Sequence, residues 1–194
     1  MKREKKEKKF YKNPWFILSA VILVIALWFV FTYNYLIGLD QSVQNQWAQV
    51  ESQYQRRYDL IPNLVNTARG YMQFERSLLE EVTTLRSQWA AAETVDEKIT
   101  VANQWDSAIS RLLLVVENYP ELKAIEAINS LMDELAGTEN RIAVERMRFN
   151  DRVRSYNTAI KVIPTNMVAN WFGFTEKTYF EAVPGASEAP EVNI

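Results

Sequence analysis

Apolar residues crowd one stretch of this chain and then fall into stripes. From Asn13 to Leu39 there are 27 residues without a charge, and a run of lysine, arginine and glutamate precedes them. A hydrocarbon core of about 30 Å needs roughly 20 apolar residues in a helix. Trp15 through Phe31 to Tyr35 supplies that length, which predicts a transmembrane signal anchor over 14–36. Beyond it the apolar positions recur at steps of three and four, the helical period, with no run of period two. The first run is Leu36, Leu39, Val43, Trp47, Val50 and Tyr54. No proline separates it from the anchor, so the two read as one rod with Gly38 as its soft point. Trp15 to Tyr58 would span about 65 Å.

Pro62 is expected to break or kink this rod and open a second helix, striped by Ile61, Val65, Ala68, Met72, Glu75, Leu78, Val82, Leu85 and Trp89. Thr94 with Glu97 three residues on forms a capping box for a third. That helix carries Ile99, Ala102, Trp105, Ile109, Leu112, Leu113 and Val116, and stops at Tyr119 before Pro120. The last stripe is the most regular: Ile128, Leu131, Leu135, Thr138, Ile142, Glu145, Phe149, Val153, Tyr156, Ile160 and Ile163, ended by Pro164. The predicted fold class is all-α: an N-terminal transmembrane helix, then an elongated antiparallel four-helix bundle over 37–163 with coiled-coil-like packing. If the first helix leaves the bilayer, the fourth returns to it. Residues 164–182 then form an aromatic juxtamembrane segment, in which Met167, Trp171, Phe172, Phe174, Tyr179 and Phe180 are candidate membrane or partner contacts. Folding back to cap the bundle end is the plainer alternative. Residues 183–194 read as a disordered acidic tail.

A cleaved signal peptide would have a shorter apolar region and a small-residue cleavage site; here Tyr33-Asn34-Tyr35-Leu36 follows. A core helix in a soluble protein would have to bury this run on every side, which a chain of this size cannot do. The leader, residues 1–13, carries seven basic and two acidic residues, a net +5 against −2 for the whole chain, leaving −7 beyond it. By the positive-inside rule the N-terminus is cytoplasmic and the helical domain extracytoplasmic. The expected location is the bacterial plasma membrane, in a single pass.

The chain contains no Cys and no His. That excludes disulfides, nucleophiles paired with a His base, and zinc or di-iron sites built on those residues. Five glycines make no phosphate cradle, and no calcium-loop pattern is present. An acidic body is a poor match for nucleic acid. No cofactor, no metal, no catalytic residue and no small-molecule substrate is expected.

Two blocks are more polar than a plain bundle requires: Arg56-Arg57-Tyr58-Asp59-Leu60-Ile61-Pro62-Asn63-Leu64-Val65, and Glu139-Asn140-Arg141-Ile142-Ala143-Val144-Glu145-Arg146 with Asn150 and Asn157 downstream. Glu75, Thr138 and Glu145 fall on core stripes, where an unpaired charge is costly. Arg57, Asp59, Asn63, Glu75, Glu139, Arg141, Glu145 and Arg146 are therefore read as a structural polar network that fixes helix register. These blocks, with Val116-Glu117-Asn118-Tyr119-Pro120-Glu121-Leu122-Lys123-Ala124, Tyr156-Asn157-Thr158-Ala159-Ile160, Phe172-Gly173-Phe174 and Tyr179-Phe180-Glu181-Ala182, resemble the LemA family of bacterial membrane proteins. Departures are Glu145, Met147 and Phe149. The resemblance implies one membrane helix and a four-helix body, and no established reaction. It also implies an envelope partner, since genes of the family often lie beside those of HtpX-type membrane proteases or other envelope proteins.

Three functions follow in order of fit. The first is a non-enzymatic membrane-anchored scaffold or adaptor that self-assembles or pairs with an envelope protein. The second is a ligand-binding or sensor bundle, with a pocket among Trp47, Met72, Trp89 and Trp105, relaying through a partner. The third is a hydrolase using Glu75, Glu139 or Glu145.

Overall fold

A computed structural model describes residues 14–68, 76–119 and 125–180. The basic leader, Met72, Glu75, and the tail expected over 183–194 lie outside the described residues. The protein is all-helical, with no strand among the described residues. Its helices are α1 (Pro14–Ala68), α2 (Arg76–Ala91), α3 (Val95–Asn118), α4 (Glu126–Lys161) and α5 (Thr165–Phe172). They are shared between two compact units. One comprises Met1–Ser42 and Arg154–Lys177; the other comprises Val43–Val153 and Thr178–Ile194.

In the first unit α1 exposes apolar side chains over most of its first five turns, Trp15, Leu23, Val24, Val30 and Phe31 among them. Among the described residues α1 is long and apolar enough to cross a membrane. Thr32 and Leu36 are instead buried, as are Tyr156, Asn157, Ala159 and Ile160 of α4 and Val168 and Ala169 of α5. α4 stops at Lys161, two residues short of the expected end, and Ile163 lies in the exposed turn before α5. Gly173 closes α5 in the left-handed region at φ 74°, and its N–H donates to the Ala169 carbonyl. A side chain at that φ would be strained, so glycine fits the stop.

In the second unit the core is drawn from four helices. It includes Val43, Val50, Tyr54 and Leu64 of α1, Leu78, Val82 and Trp89 of α2, Ala102, Trp105 and Leu112 of α3, and Ile128, Leu135, Ile142 and Phe149 of α4. The capping box at Thr94 is formed in both directions: the Glu97 N–H donates to Thr94 Oγ1 at 3.2 Å, and Glu97 Oε2 accepts the Thr94 N–H at 3.1 Å. α3 ends before Tyr119, as expected.

Pro62 does not break the first helix. It lies inside α1, which continues to Ala68. An interior proline costs about 3 kcal/mol, and full burial of one large apolar side chain contributes about 1.5–3 kcal/mol. Tyr58, Ile61 and Leu64 are all buried around it, so the stripe outweighs the proline. Ile61 accordingly belongs to α1 and not to the second helix.

Candidate functional site: a buried ion cluster and an exposed aromatic helix

The charged centre of the second unit is built on Asp106 of α3. Tyr54 and Arg57 reach it from α1, three residues apart and thus on one helix face. Arg146 reaches it from α4. Arg57 Nη1 donates to Asp106 Oδ1 at 3.0 Å, and the Tyr54 hydroxyl donates to Oδ2 at 3.2 Å. Arg146 Nη2 donates to Asp106 Oδ2 and to the Tyr54 oxygen, and lies 3.4 Å from Asn103 Oδ1. The Arg57 side chain is only 2% exposed, and those of Arg146 and Asp106 are 14% and 16% exposed. Glu139 approaches Arg57 at 3.9 Å from a half-exposed position.

Two guanidinium groups thus share one buried carboxylate. The Arg146 cation also lies over the rings of Phe180 at 4.6 Å and Tyr54 at 5.4 Å, which adds cation–π attraction. Burial pushes the Asp106 carboxyl above its ordinary range, against the downward pull of Arg146 and then Arg57. Burial likewise pushes the hydroxyls of Tyr54 and Tyr58 far above the usual tyrosine range, with the Asp106 charge adding to it. Both tyrosines remain neutral at any physiological pH, Tyr54 as a donor to Asp106. The arrangement ties three helices together and leaves Asp106, its central carboxylate, fully engaged.

Of the residues expected in a polar network, Arg57 and Arg146 meet here and Glu139 stands at the rim. Glu145 lies elsewhere, accepting from Gln46 at 2.6 Å and from Arg148 at 2.7 Å. Asp59, Asn63 and Arg141 are exposed. Asp59 follows Arg57 by two residues, which turns it to another helix face, where it accepts from Gln55 at 3.0 Å. Thr138 is buried and donates to the Leu135 carbonyl at 2.7 Å. Sequence reasoning missed Tyr54 and Asp106 as members. Trp47, Trp89 and Trp105 are buried, with Trp47 6.4 Å from Trp89 and Trp105 set edge-on to Tyr58 at 4.2 Å; Met72, expected beside them, lies outside the described residues.

The aromatic segment divides into two kinds of residue. Phe180 is buried, stacked on Trp47 at 5.9 Å and edge-on to Phe149 at 5.6 Å. Its place among the membrane or partner contacts is therefore corrected to a core role, because a second-unit hydrophobic pocket encloses it. The Asn150 amide holds its backbone in both directions, at 3.0 and 2.9 Å. In the first unit Asn157 does the same for Lys177, at 2.8 and 2.9 Å. Trp171 and Phe172 of α5 lie against Phe29, at 5.9 and 5.7 Å, and Phe172 also meets Tyr33 at 4.5 Å. Phe174 is half-buried between Tyr33 and Tyr156. Met167, Trp171, Phe172 and Tyr179 keep exposed surface.

An all-helical chain with a long apolar N-terminal helix and an arginine–aspartate cluster inside its helical body defines the class. The LemA family model matches residues 46–194, and the chain belongs to that family. It is similar to the magnetosome protein MamQ 2 of Paramagnetospirillum magneticum (strain ATCC 700264 / AMB-1), 24% identical over 90% of this chain and 72% of that protein. The magnetosome protein MamQ of Magnetospirillum gryphiswaldense matches to the same extent. Protein LemA of Metamycoplasma hominis is 26% identical over 86% of this chain and 78% of that protein.

Proposed function

We propose that this protein is a single-pass, membrane-anchored helical scaffold or adaptor of the bacterial cell envelope that works without catalysis of its own. One observation carries the reading. The helix α1 exposes apolar side chains from Trp15 to Phe31, then buries Leu36, Val43, Val50, Tyr54 and Leu64. Its first part has the surface of a helix solvated by lipid, and its later part that of a helix in a protein core. The positive leader orients the N-terminus to the cytoplasm. The reading includes an antiparallel α1–α4 bundle with coiled-coil-like seams, supported by the core stripe each helix supplies. The Asp106 cluster is its register device, since polar groups of this kind specify which helices meet. The partner is a second copy or another envelope protein, an HtpX-type membrane protease among the candidates.

Fractionation of cells making the full-length chain with a C-terminal epitope tests this. The protein should resist alkaline carbonate extraction, lose the epitope to protease added outside the plasma membrane, and migrate in native gels above the monomer. Release by carbonate, or a strictly monomeric species, would overturn the proposal.

A second reading has one observation in its favour. A groove of about 580 Å³ lies between α3 and α4, lined by Leu113, Leu114, Val116 and Met132 with Ser110 and Asp133. Bundle grooves of this kind take small apolar ligands, as a sensor domain would. Thermal stability of the Leu114→Trp variant, which fills the groove, should then no longer respond to envelope extracts that stabilise the parent.

A further inference from the structure

The stretch from Val162 to Thr175 holds no charged residue, the longest such run outside the anchor. Within it Ile163, Met167 and Trp171 recur at steps of four, on one side of a helical path. All three are strongly exposed, Ile163 at 82% and Trp171 at 79%, while Val168 and Ala169 on the opposite side are buried. A short helix with an apolar inner face and an equally apolar outer face is poorly solvated by water. Something apolar has to meet the outer one.

The contacts to α1 set its depth. The twenty helical steps from Trp15 to Tyr35 rise about 30 Å, one hydrocarbon thickness. Phe29 and Tyr33 lie six and two residues inside the far end, or about 9 and 3 Å below it. Trp171 and Phe172 pack on these two rings. The charges stand on the other side of that level. Asp40, the first ionised residue after the anchor, pairs with Lys177 at 2.7 Å, and Lys161 pairs with Glu176 at 2.7 Å. Asp40 lies about 7 Å beyond Tyr35. Apolar rings within about 10 Å of the boundary, with paired charges just outside it, form the profile of an interfacial helix. Tryptophan in particular settles at this depth.

We infer that α5 and the turn before it form an interfacial membrane element, with Ile163, Met167 and Trp171 seated in the headgroup–acyl boundary beside α1. The occupant of the outer face is lipid. Lipid is favoured by continuity: Trp28 and Phe31 of α1 expose apolar surface at the same level, so the outer face of α5 extends the lipid-facing band already present. The element rests on the membrane-anchor reading above. Its effect is to widen the foot of the protein from one helix to two, so that α1 cannot rotate about its own axis without dragging α5 through the interface.

The absence of native cysteine makes the test direct. Full-length Met167→Cys, Ile25→Cys and Leu114→Cys are each spin-labelled and placed in nanodiscs of phosphatidylethanolamine and phosphatidylglycerol. All three parent side chains are exposed, so none of the labels disturbs a core. Collision with oxygen, which concentrates in lipid, is compared with collision with a soluble nickel chelate. The oxygen-to-nickel ratio at Met167 should lie between the other two, severalfold above Leu114 and below Ile25. A Met167 ratio equal to that at Leu114 would overturn the inference while Ile25 in lipid leaves the anchor standing. Shielding of Met167 from both reagents would also overturn it, since protein would then cover the face. An Ile25 label in water would sink the anchor and the inference together.

Discussion

Replacing Asp106 by asparagine removes one charge and leaves two arginines facing each other inside the second unit. The side chains of Arg57 and Arg146 are 2% and 14% exposed, so neither cation regains much water. Each attraction to Asp106 is worth about 4 kcal/mol at 4 Å and an effective dielectric of 20. Desolvation of each ion opposes this by several kcal/mol. Burial raises the Asp106 carboxyl, which offsets part of what the two arginines gain from it. The cluster as a whole is therefore a weak stabiliser, yet removing its centre is costly, because the uncompensated charges stay buried. Breaking such a pair destabilises by about 3–5 kcal/mol. At about 2–4 °C per kcal/mol for a chain of this size, the melting temperature should fall by about 6–20 °C. Circular dichroism at 222 nm on the full-length protein in nanodiscs reads this. The triple variant Asp106→Leu, Arg57→Met, Arg146→Met should recover most of the loss, as apolar replacements of buried ion clusters do. A single Asp106→Asn variant melting within about 1 °C of the parent would refute the reasoning. It would mean that the guanidinium groups are solvated and the cluster is not desolvated.

Other outcomes follow from particular contacts. Thr94→Ala should destabilise by about 1 kcal/mol, measured by urea unfolding. The Glu97 carboxyl is held below its ordinary 4.5 by the N–H groups of Thr94 and Glu93; its contribution is present above that pH and lost as the pH falls below it, and Glu97→Gln should remove this acid dependence. Tyr54 and Tyr58 keep their protons when folded, whereas unfolded tyrosines ionise near pH 10. The folded state therefore binds more protons there, and stability falls as pH rises past about 10. Absorbance at 295 nm should show at least two of the nine tyrosines ionising only as the 222 nm signal is lost, and titration of all nine with the helix signal intact would refute their burial. Asn157→Ala leaves the Lys177 N–H and C=O without their side-chain partner, a loss of about 2 kcal/mol, and hydrogen exchange should quicken at the Lys177 amide while the Phe180 amide, held by Asn150, stays protected.

What the residues disclosed on their own was whatever local periodicity encodes. The stripes of α3 and α4 and the box at Thr94 follow from spacing alone, since a helix either buries such a face or fails to form. Arg57 and Arg146 stood out because they lie in two polar blocks and could pair the acidic residues that fall on core stripes. Asp106 did not: it is one of 24 acidic residues, and its importance arises only where α1, α3 and α4 converge. Pro62 misled for a related reason, as its penalty is local while the burial of Tyr58, Ile61 and Leu64 that outweighs it is tertiary. Phe180 looked like its exposed aromatic neighbours, and the Asn150 amide that holds it at the core is 30 residues away. Long-range pairings of that kind have no period to read.

The claim that this is a scaffold is met most directly by in-cell photo-crosslinking from Val144 and Met147, exposed apolar positions of the second unit, followed by mass spectrometry of the captured species. The account predicts one dominant adduct joining two chains, either a second copy or a single envelope protein. Products confined to one chain, at both positions and at native expression, would contradict it.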